Sequence, residues 1–291
     1  MKPLVSILMT AYNREQFIEE AIESVLKSSY DNFELIIVDD GSKDETVAIA
    51  RAYEVKDQRI KVFINEYNLG DYPNRNRAVS LASGEFIMFC DSDDKLYPDT
   101  ITKLLSIINN TPGFNFAMYW KHSNDTFTFD STTALRRHFL EHQFLYIGPG
   151  GTFIRRSFFN SIKGYPEKYG PANDMYFNLK ACCHSSILLV PFEFVYYRRH
   201  DGQEINNRFS YIYNNYRYLR DAFNELPLPL SKAQLQWLHK KNKRRFVAHL
   251  MRFLIKTGDY KKAKDAYDRA DFSIKYVLQG LLQWRDKCPV N

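Results

Sequence analysis

Three carboxylates follow a short apolar segment near the first third of the chain. Residues 86–90 are predicted to form a buried strand, and Asp91, Asp93 and Asp94 come directly after it. Carboxylates this close repel one another, so the cluster needs a positive partner. Mg²⁺ and Mn²⁺ are commonly held by one or two carboxylates together with substrate phosphates. The spacing therefore predicts a divalent-metal site, with a solvated acidic loop before a helix near Pro98 as the alternative.

The elements that must position this cluster are three strand–helix units that precede it. Strands are predicted over 4–10, 33–38 and 60–64, each followed by a helix. Asn13 with Gln16 and Ser42 with Glu45 have the spacing of capping boxes, which predicts that two of the helices begin there. Three such units before a fourth strand indicate an α/β fold with a parallel sheet and right-handed crossovers.

Two other predicted strands also end in residues that could contact a ligand. Thr10, Ala11 and Tyr12 end the first strand, and Asp39 and Asp40 end the second. Ligands of open α/β sheets bind at the carboxyl ends of strands, so these residues should meet the acidic loop at one rim. A carboxylate there can accept the imide N–H of uracil, and Tyr12 can stack on the base. The alternatives are that the aspartates start a turn and that Tyr12 is a packing residue.

The order and spacing of these motifs resemble a known enzyme family. The segments VSILMTAYNREQFIEEAIESVL, ELIIVDDGSKDET and NRNRAVSLASGEFIMFCDSDD are similar to the inverting family 2 glycosyltransferases of the GT-A fold, of the bacterial polysaccharide type. The resemblance covers roughly residues 3–205. It implies a nucleotide-diphosphate-sugar donor, with UDP preferred, a divalent metal (Mn²⁺ or Mg²⁺), and inversion at the anomeric carbon.

The resemblance also implies roles for individual residues. By motif position the nucleotide-binding residues are Thr10, Ala11, Tyr12, Asp40, Arg75, Asn76 and Asp91. Asp93 would hold the metal on the diphosphate. Some relatives place a histidine on the metal or the diphosphate at the position of His200, which makes His200 a second candidate ligand, although a lone histidine is more often structural. Arg198 or Arg199 beside it could contact a phosphate.

A catalytic base is implied further along the chain. Asp174 opens a predicted helix at the position where the family carries its catalytic aspartate. The family usually has Glu-Asp there, whereas this chain has Asn173 before Asp174. An acceptor hydroxyl must lose its proton as it attacks the anomeric carbon, so the chemistry needs such a base. The alternative is that Asp174 only caps the helix.

Charge is distributed unevenly along the 291 residues. Residues 1–205 carry 22 Lys and Arg against 27 Asp and Glu, whereas residues 206–291 carry 18 against 7. This asymmetry predicts two domains, a GT-A catalytic domain over 1–205 and a basic helical C-terminal extension over 206–291. The basic part is expected to bind an anionic membrane surface. The residues expected to do so are Lys240, Lys241, Lys243, Arg244 and Arg245. Trp237, Phe246 and Trp284 are candidate interfacial contacts, although some of them must belong to the core. The alternatives are a solvated basic face and a dimer interface.

The sequence also indicates where the protein is located and which kinds of partner it binds. The chain has no run of about 18 apolar residues, and a strand by Leu4 leaves no room for a signal peptide. The four cysteines have neither metal nor disulfide spacing. We therefore expect a cytoplasmic protein, located in part at the inner face of the cell membrane, with no nucleic acid partner.

These observations predict a metal-dependent inverting glycosyltransferase that acts on a glycan or lipid-linked glycan acceptor in surface polysaccharide synthesis. A sugar-1-phosphate nucleotidyltransferase is less favoured, because it would need a glycine-rich phosphate loop with a basic residue where Ala11, Tyr12 and Asn13 stand. A non-catalytic nucleotide-sugar-binding scaffold is the other alternative, and measurable donor hydrolysis or transfer would exclude it.

Overall fold

The protein is described by a computed structural model that covers residues 2–121, 124–203, 207–273, 276 and 288–289. The chain divides into two compact units. The first comprises Met1–Asp130, Ile147–Tyr165 and His184–Arg199, and the second comprises Ser131–Tyr146, Pro166–Cys183 and His200–Asn291. None of the described helices combines the length and the apolar character needed to cross a bilayer.

The first unit contains the strands. In chain order they are β1 (Val5–Ala11), β2 (Phe33–Asp39), β3 (Ile60–Ile64), β4 (Phe86–Phe89), β5 (Lys95–Leu96), β6 (Phe116–Tyr119), β7 (Phe127–Phe129), β8 (Thr152–Arg155), β9 (Ile187–Val190) and β10 (Val195–Tyr196). Eight of them form one sheet in the order β3-β2-β1-β4-β8-β6-β9-β7, and β10 pairs with β5. The pairs among β1 to β4 are parallel, as predicted, and β8 runs antiparallel to both β4 and β6.

Helices cover both faces of the parallel half of this sheet. They are α1 (Ile18–Leu26), α2 (Thr46–Lys56), α3 (Asp71–Leu81) and α4 (Thr100–Ile108), with α6 (Arg156–Ser161) after β8. The core on one face joins alternate residues of β1 and β2 to the buried sides of α1, α2 and α4, whereas α3 packs against β1 and β2. All seven residues of β1 are buried, as expected for a central strand covered on both faces. The predicted α/β fold is therefore confirmed.

The predicted starts of two helices are wrong. Helix α1 begins at Ile18 rather than at Asn13, and α2 begins at Thr46 rather than after Ser42, and neither N-cap side chain makes a capping hydrogen bond. Asn13 has a φ of 53° and accepts a hydrogen bond from the N–H of Lys43 at 2.8 Å. Its side chain joins two strand-end loops, and this tertiary contact replaces the local cap that the spacing suggested.

The second unit is helical in the part of the chain that the structure describes. It contains α5 (Ser131–Arg136), a π-helical turn (Arg137–Glu141), α7 (Asn173–His184), α8 (Arg208–Glu225), α9 (Lys232–Thr257) and α10 (Tyr260–Arg269). Its core gathers side chains of α8, α9 and α10 and of the segment just after α10, chiefly Tyr213, Tyr216, Phe246, Val247 and Phe272.

The compact units differ from the predicted division into 1–205 and 206–291. Residues 131–146 and 166–183 belong to the second unit, although they lie within the predicted first domain. The hydroxyl of Tyr169 donates to Asp221 at 2.9 Å, and that of Tyr176 donates to Glu225 at 2.7 Å. These bonds join the start of α7 to the end of α8 across about 50 residues, a connection that composition along the chain does not reveal.

A buried glutamate on β2 fixes the turn that leads into β4. Glu34 accepts hydrogen bonds from the hydroxyls of Ser6 and Ser83, at 2.7 and 2.8 Å, and from the Ser83 N–H at 2.6 Å, and it pairs with Lys61 at 3.1 Å. Burial alone would raise the pKa of Glu34, but these donors outweigh it and lower the pKa to about 2. A Cβ at Gly84 would lie 2.6 Å from the Ser6 hydroxyl, so this turn requires glycine.

We expect Glu34→Gln to destabilise the protein by roughly 2–3 kcal/mol at neutral pH, because several donors would lose a charged acceptor. The folded pKa lies below the usual 4.5, so this contribution is complete above pH 4.5 and is lost as the pH falls towards 2. Urea unfolding of the parent and the variant across this range measures the difference. Glu85→Gln, which alters a more exposed glutamate paired with Arg155, is the control. Equal losses in the two variants would contradict the assignment.

Candidate active site

The loops that follow β1 and β2 are joined side by side at the carboxyl edge of the sheet. The N–H of Asn13 donates to the Ser42 hydroxyl at 2.8 Å, and the N–H of Arg14 donates to the Thr46 hydroxyl at 2.7 Å. Asp39 accepts from the Ser42 N–H at 2.8 Å and from its hydroxyl at 2.5 Å. Asp39 thus holds the turn after β2, as the alternative interpretation of this residue proposed.

The loop after β4 is joined to the end of β1 in the same way. The hydroxyl of Ser92 donates to the Thr10 carbonyl at 2.7 Å, and the Thr10 hydroxyl donates to Asp91 at 3.4 Å. The ends of β1, β2 and β4 therefore meet at one rim, as predicted from the order of the strands. Ala11 is the last residue of β1 and pairs with Asp39 in the sheet.

A bidentate ion pair holds the first carboxylate of the acidic loop. Arg75 on α3 donates to the two oxygens of Asp91 at 2.6 and 2.8 Å, and its Nε donates to Asp71 at 3.0 Å. Burial alone would lower the pKa of the guanidinium, but the carboxylates of Asp71 and Asp91 outweigh it and raise that pKa. Arg75 and Asp91, both predicted donor-binding residues, are thus brought together.

The second carboxylate is held by a residue that the sequence analysis did not single out. Arg14 Nε lies 3.1 Å from Asp93 Oδ2, and the same guanidinium donates to the Tyr12 carbonyl at 3.0 Å. Arg14 thereby links the loop after β1 to the acidic loop. Its position two residues after the predicted ligand residues Thr10, Ala11 and Tyr12 was the one available signal.

Arg198 holds the third part of the acidic loop. Its backbone N–H donates to Asp94 Oδ1, and its Nε donates to the Asp93 carbonyl, both at 3.0 Å. The remaining end of the guanidinium pairs with Glu20 on α1 at 2.5 Å. Arg198 was predicted as a phosphate contact, and here it binds the protein's own backbone and carboxylates.

The carboxylates of the acidic loop crowd one another, and a divalent cation beside them would relieve their repulsion. Burial, together with the charges of Asp91 and Asp93, raises the pKa of Asp94 to about 8, as expected where carboxylates crowd one another. Among the described residues no group of three or more His, Cys, Asp or Glu could hold a metal ion. A cation here would therefore depend on one or two of these carboxylates and on oxygens of a bound ligand, as Mg²⁺ and Mn²⁺ commonly do.

The two residues predicted to contact the nucleoside base differ in their surroundings. The Tyr12 ring is 44% exposed and is available for stacking. Asp40 is buried and accepts from Asn65 at 2.6 Å and from the N–H groups of Leu69 and Gly70 at 2.8 and 2.9 Å. Three of its roughly four acceptor positions are thus used to fold the 65–70 loop. The contact of Asp40 with a base stays a prediction.

Asn76 has internal partners. Its Nδ2 donates to the Tyr165 carbonyl and its Oδ1 accepts from the Tyr165 N–H, both at 3.0 Å. This reciprocal pair fixes residues 164–165 against α3 beside Arg75. The expectation that Asn76 contacts the donor stays a prediction.

Asp174, the predicted catalytic base, lies in the second unit. So does Asn173, which stands where the family usually has glutamate. Asp174 is buried in the first turn of α7, and its Oδ1 accepts from the Met175 N–H at 2.7 Å. Asn173 accepts from the Tyr169 N–H at 2.9 Å and donates to the Gly170 carbonyl at 2.8 Å. An ionised glutamate has no proton to donate, so Asn173 closes this turn in a way that glutamate would not.

The other predicted metal ligand also lies in the second unit. His200 is the first residue of the unit's last segment, and its N–H donates to the Gln203 side chain at 3.1 Å. Its role as a ligand stays a prediction.

The sequence model of glycosyl transferase family 2 matches residues 6–163. This segment is more than half of the chain, and the chain belongs to that family.

Three known proteins are similar to this one. The Escherichia coli UDP-Glc:alpha-D-GlcNAc-diphosphoundecaprenol beta-1,3-glucosyltransferase WfgD is 42% identical over 117 residues, which are 40% of this chain and 46% of that protein. TarS of S. aureus in complex with UDP-GlcNAc has a TM-score of 0.71 at 21% identity, over 91% of this chain and 79% of that one. The mannosyltransferase PcManGT from Pyrobaculum calidifontis, in complex with GDP-Man and Mn²⁺, has a TM-score of 0.65 at 16% identity. The alignment covers 97% of this chain and 87% of that one.

These likenesses confirm the predicted GT-A type of fold. Each match to a curated relative covers between a third and a half of that relative's length. The covered share is 47% for the teichuronic acid glycosyltransferase TuaG of Bacillus subtilis.

We expect Arg75→Lys to destabilise the protein by about 1–3 kcal/mol, because an ammonium cannot replace the bidentate contact with Asp91. If UDP with Mn²⁺ raises the melting temperature of the parent, that shift should also shrink, since the acidic loop loses its anchor. Urea unfolding and differential scanning fluorimetry measure the two effects. Arg77→Lys, two residues along the same helix, is the control. If Arg75→Lys proved as stable as Arg77→Lys, the pair would not be what holds the loop.

Proposed function

We propose that this protein is a metal-dependent inverting glycosyltransferase that moves a sugar from a UDP-sugar to a hydroxyl of a glycan acceptor. One observation carries the proposal. The carboxylates of Asp91 and Asp93 lie at the carboxyl end of β4, joined to the ends of β1 and β2, inside the segment that matches the family. A diphosphate with its cation would be bound at such a rim.

In this mechanism each predicted site residue has a separate role. Tyr12 stacks on the base, and Asp93 holds the cation on the diphosphate, with His200 as the second candidate ligand. The cation, when bound, offsets the negative charge that builds on the departing nucleoside diphosphate. Asp174 accepts the proton of the acceptor hydroxyl as that oxygen attacks the anomeric carbon opposite the leaving group, which inverts its configuration.

The acceptor class rests on the relatives. The name of WfgD describes a sugar linked through a diphosphate to undecaprenol, and a related Campylobacter jejuni protein is named as a glucosyltransferase on a GalNAc-containing undecaprenol diphosphate. We infer that this protein likewise extends a glycan carried on a polyprenol diphosphate, during synthesis of a surface polysaccharide.

We expect Asp93→Ala to abolish sugar transfer and to remove the effect of Mn²⁺ on UDP binding, because Asp93 is the proposed carboxylate ligand. EDTA should inactivate the parent in the same way. A thermal-shift titration of UDP with and without Mn²⁺, together with a UDP-release assay, measures both effects. Asp99→Ala, which alters an exposed aspartate just before α4, is the control. Full activity of the parent in EDTA would contradict the metal-dependent mechanism.

We expect Asp174→Asn to lower kcat at least about a hundredfold, because an amide cannot take the acceptor proton. The Kd for UDP-sugar should barely change, since the base acts on the acceptor. Steady-state kinetics and donor titration separate the two quantities. Asp265→Asn, at an exposed ion pair on α10, is the control. A variant with near-normal kcat and weak donor binding would identify Asp174 as a structural cap.

A further inference from the structure

Helix α9 has a composition that its place in the core does not explain. It carries eight Lys and Arg residues and no Asp or Glu over Lys232–Thr257. The core of the second unit takes Leu238, Phe246 and Val247 from it. Phe246 is only 2% exposed, so the prediction that it makes an interfacial contact is wrong. Trp237 is half-buried under Lys241, whose Nζ lies 4.7 Å from the ring centroid, and Trp284 lies outside the described residues.

The outward side of the second half of α9 is made of basic and apolar residues. Between positions 241 and 256 the exposed residues recur every three or four positions, so they share one helical face. We call this set the basic–apolar face; its members are Lys241, Arg245, Ala248, Met251, Arg252, Ile255 and Lys256. The predicted membrane-binding cations lie at 240–245, whereas the exposed face extends a further three turns towards the end of the helix.

Large apolar side chains stand in solvent at one end of this face. Ile255 is 79% exposed and Met251 is 44% exposed, and Tyr260, just beyond the turn at Gly258, is 70% exposed. By contrast, the large apolar side chains that form the core of the second unit are mostly buried. Exposed apolar side chains of this kind gain stability when they are covered.

The ion pairs among the described residues leave several cations beside these apolar side chains without an acidic partner. Asp259 and Asp265 pair with Lys262 and Arg269, on α10. Arg252, Lys256 and Lys261 have no ion pair within the residues that the structure describes. Positive charge and exposed apolar surface therefore coincide at the end of α9 and the start of α10.

We propose that the basic–apolar face, with Tyr260 and Lys261, docks the protein on an anionic lipid bilayer. A helix with basic residues beside exposed apolar ones lies in the interface plane, its apolar side chains inserted and its cations near the headgroups. Each Lys or Arg near such a surface strengthens binding about fivefold. Proteins that bind single-stranded nucleic acid rely instead on several stacked aromatic rings along a basic groove, whereas the apolar part of this surface combines Met251 and Ile255 with the single ring of Tyr260.

This inference extends the proposed function, because an acceptor on a polyprenol diphosphate is reached at the bilayer. Its test is nevertheless separate. Vesicle binding needs no donor, cation or acceptor, so Asp93→Ala should bind vesicles like the parent even though its transfer activity is lost.

The experiment is co-sedimentation of the full chain with phosphatidylcholine vesicles, with and without phosphatidylglycerol. We expect binding to the anionic vesicles at low salt and its loss near 1 M NaCl, where the Debye length falls to about 3 Å. Arg252→Gln/Lys256→Gln/Lys261→Gln should weaken this binding by at least about tenfold. Met251→Gln/Ile255→Gln should weaken it while the charge stays the same.

Two matched controls come from the first unit. Lys56→Gln/Lys103→Gln/Lys121→Gln removes the same charge from exposed positions, and Val55→Gln alters an apolar side chain that is 88% exposed. Both should bind vesicles like the parent. Equal binding to neutral and anionic vesicles, or equal losses in the controls, would overturn the proposal. So would a single-stranded oligonucleotide that binds more tightly than the vesicles, or a parent dimer that Met251→Gln/Ile255→Gln converts to monomer.

Discussion

Repulsion among the carboxylates of the acidic loop is the constraint around which the first unit is built. Asp91, Asp93 and Asp94 fall within four residues at the end of β4. Three arginines from distant parts of the chain hold them: Arg75 on α3, Arg14 after β1 and Arg198 after β10. Each arginine also makes a second bond elsewhere, so the contacts that hold the loop also fix it against the surrounding elements.

The arginines differ in how easily a ligand could replace them. The Arg75 side chain is only 7% exposed and its guanidinium matches both oxygens of Asp91, so separating this pair would leave two donors of a buried cation unsatisfied, with Asp71 as its remaining ion-pair partner. The Arg14 side chain is 24% exposed, so water can solvate its guanidinium if a metal ion takes its place at Asp93. This contrast favours Asp93 over Asp91 as the carboxylate that would exchange its partner for a metal, which is the role proposed for Asp93 above, whereas the role of Asp91 in nucleotide binding stays a prediction.

The sequence was informative where function depends on strand order and uninformative where it depends on long-range side-chain partners. Apolar strands followed by polar ends predicted the parallel sheet and the rim at which Thr10 and Asp91 meet. The capping boxes failed because the Asn13 and Ser42 side chains bond to each other's loops, a choice made by tertiary contact rather than by local spacing. Arg14 was missed for the same reason, since its partner lies 79 residues away.

The replacement of the family's usual glutamate by Asn173 follows from the backbone just before it. Gly170 has a φ of 51°, and a Cβ there would lie 2.8 Å from the Asn214 amide of α8. The turn is therefore tight, and its Gly170 carbonyl needs a donor, which the Asn173 amide supplies while its oxygen accepts from the Tyr169 N–H. A glutamate could satisfy only the second bond and would bury a second negative charge beside Asp174, where like charges repel. With asparagine, the start of α7 is fixed by neutral hydrogen bonds, and Asp174 has no acidic neighbour at position 173.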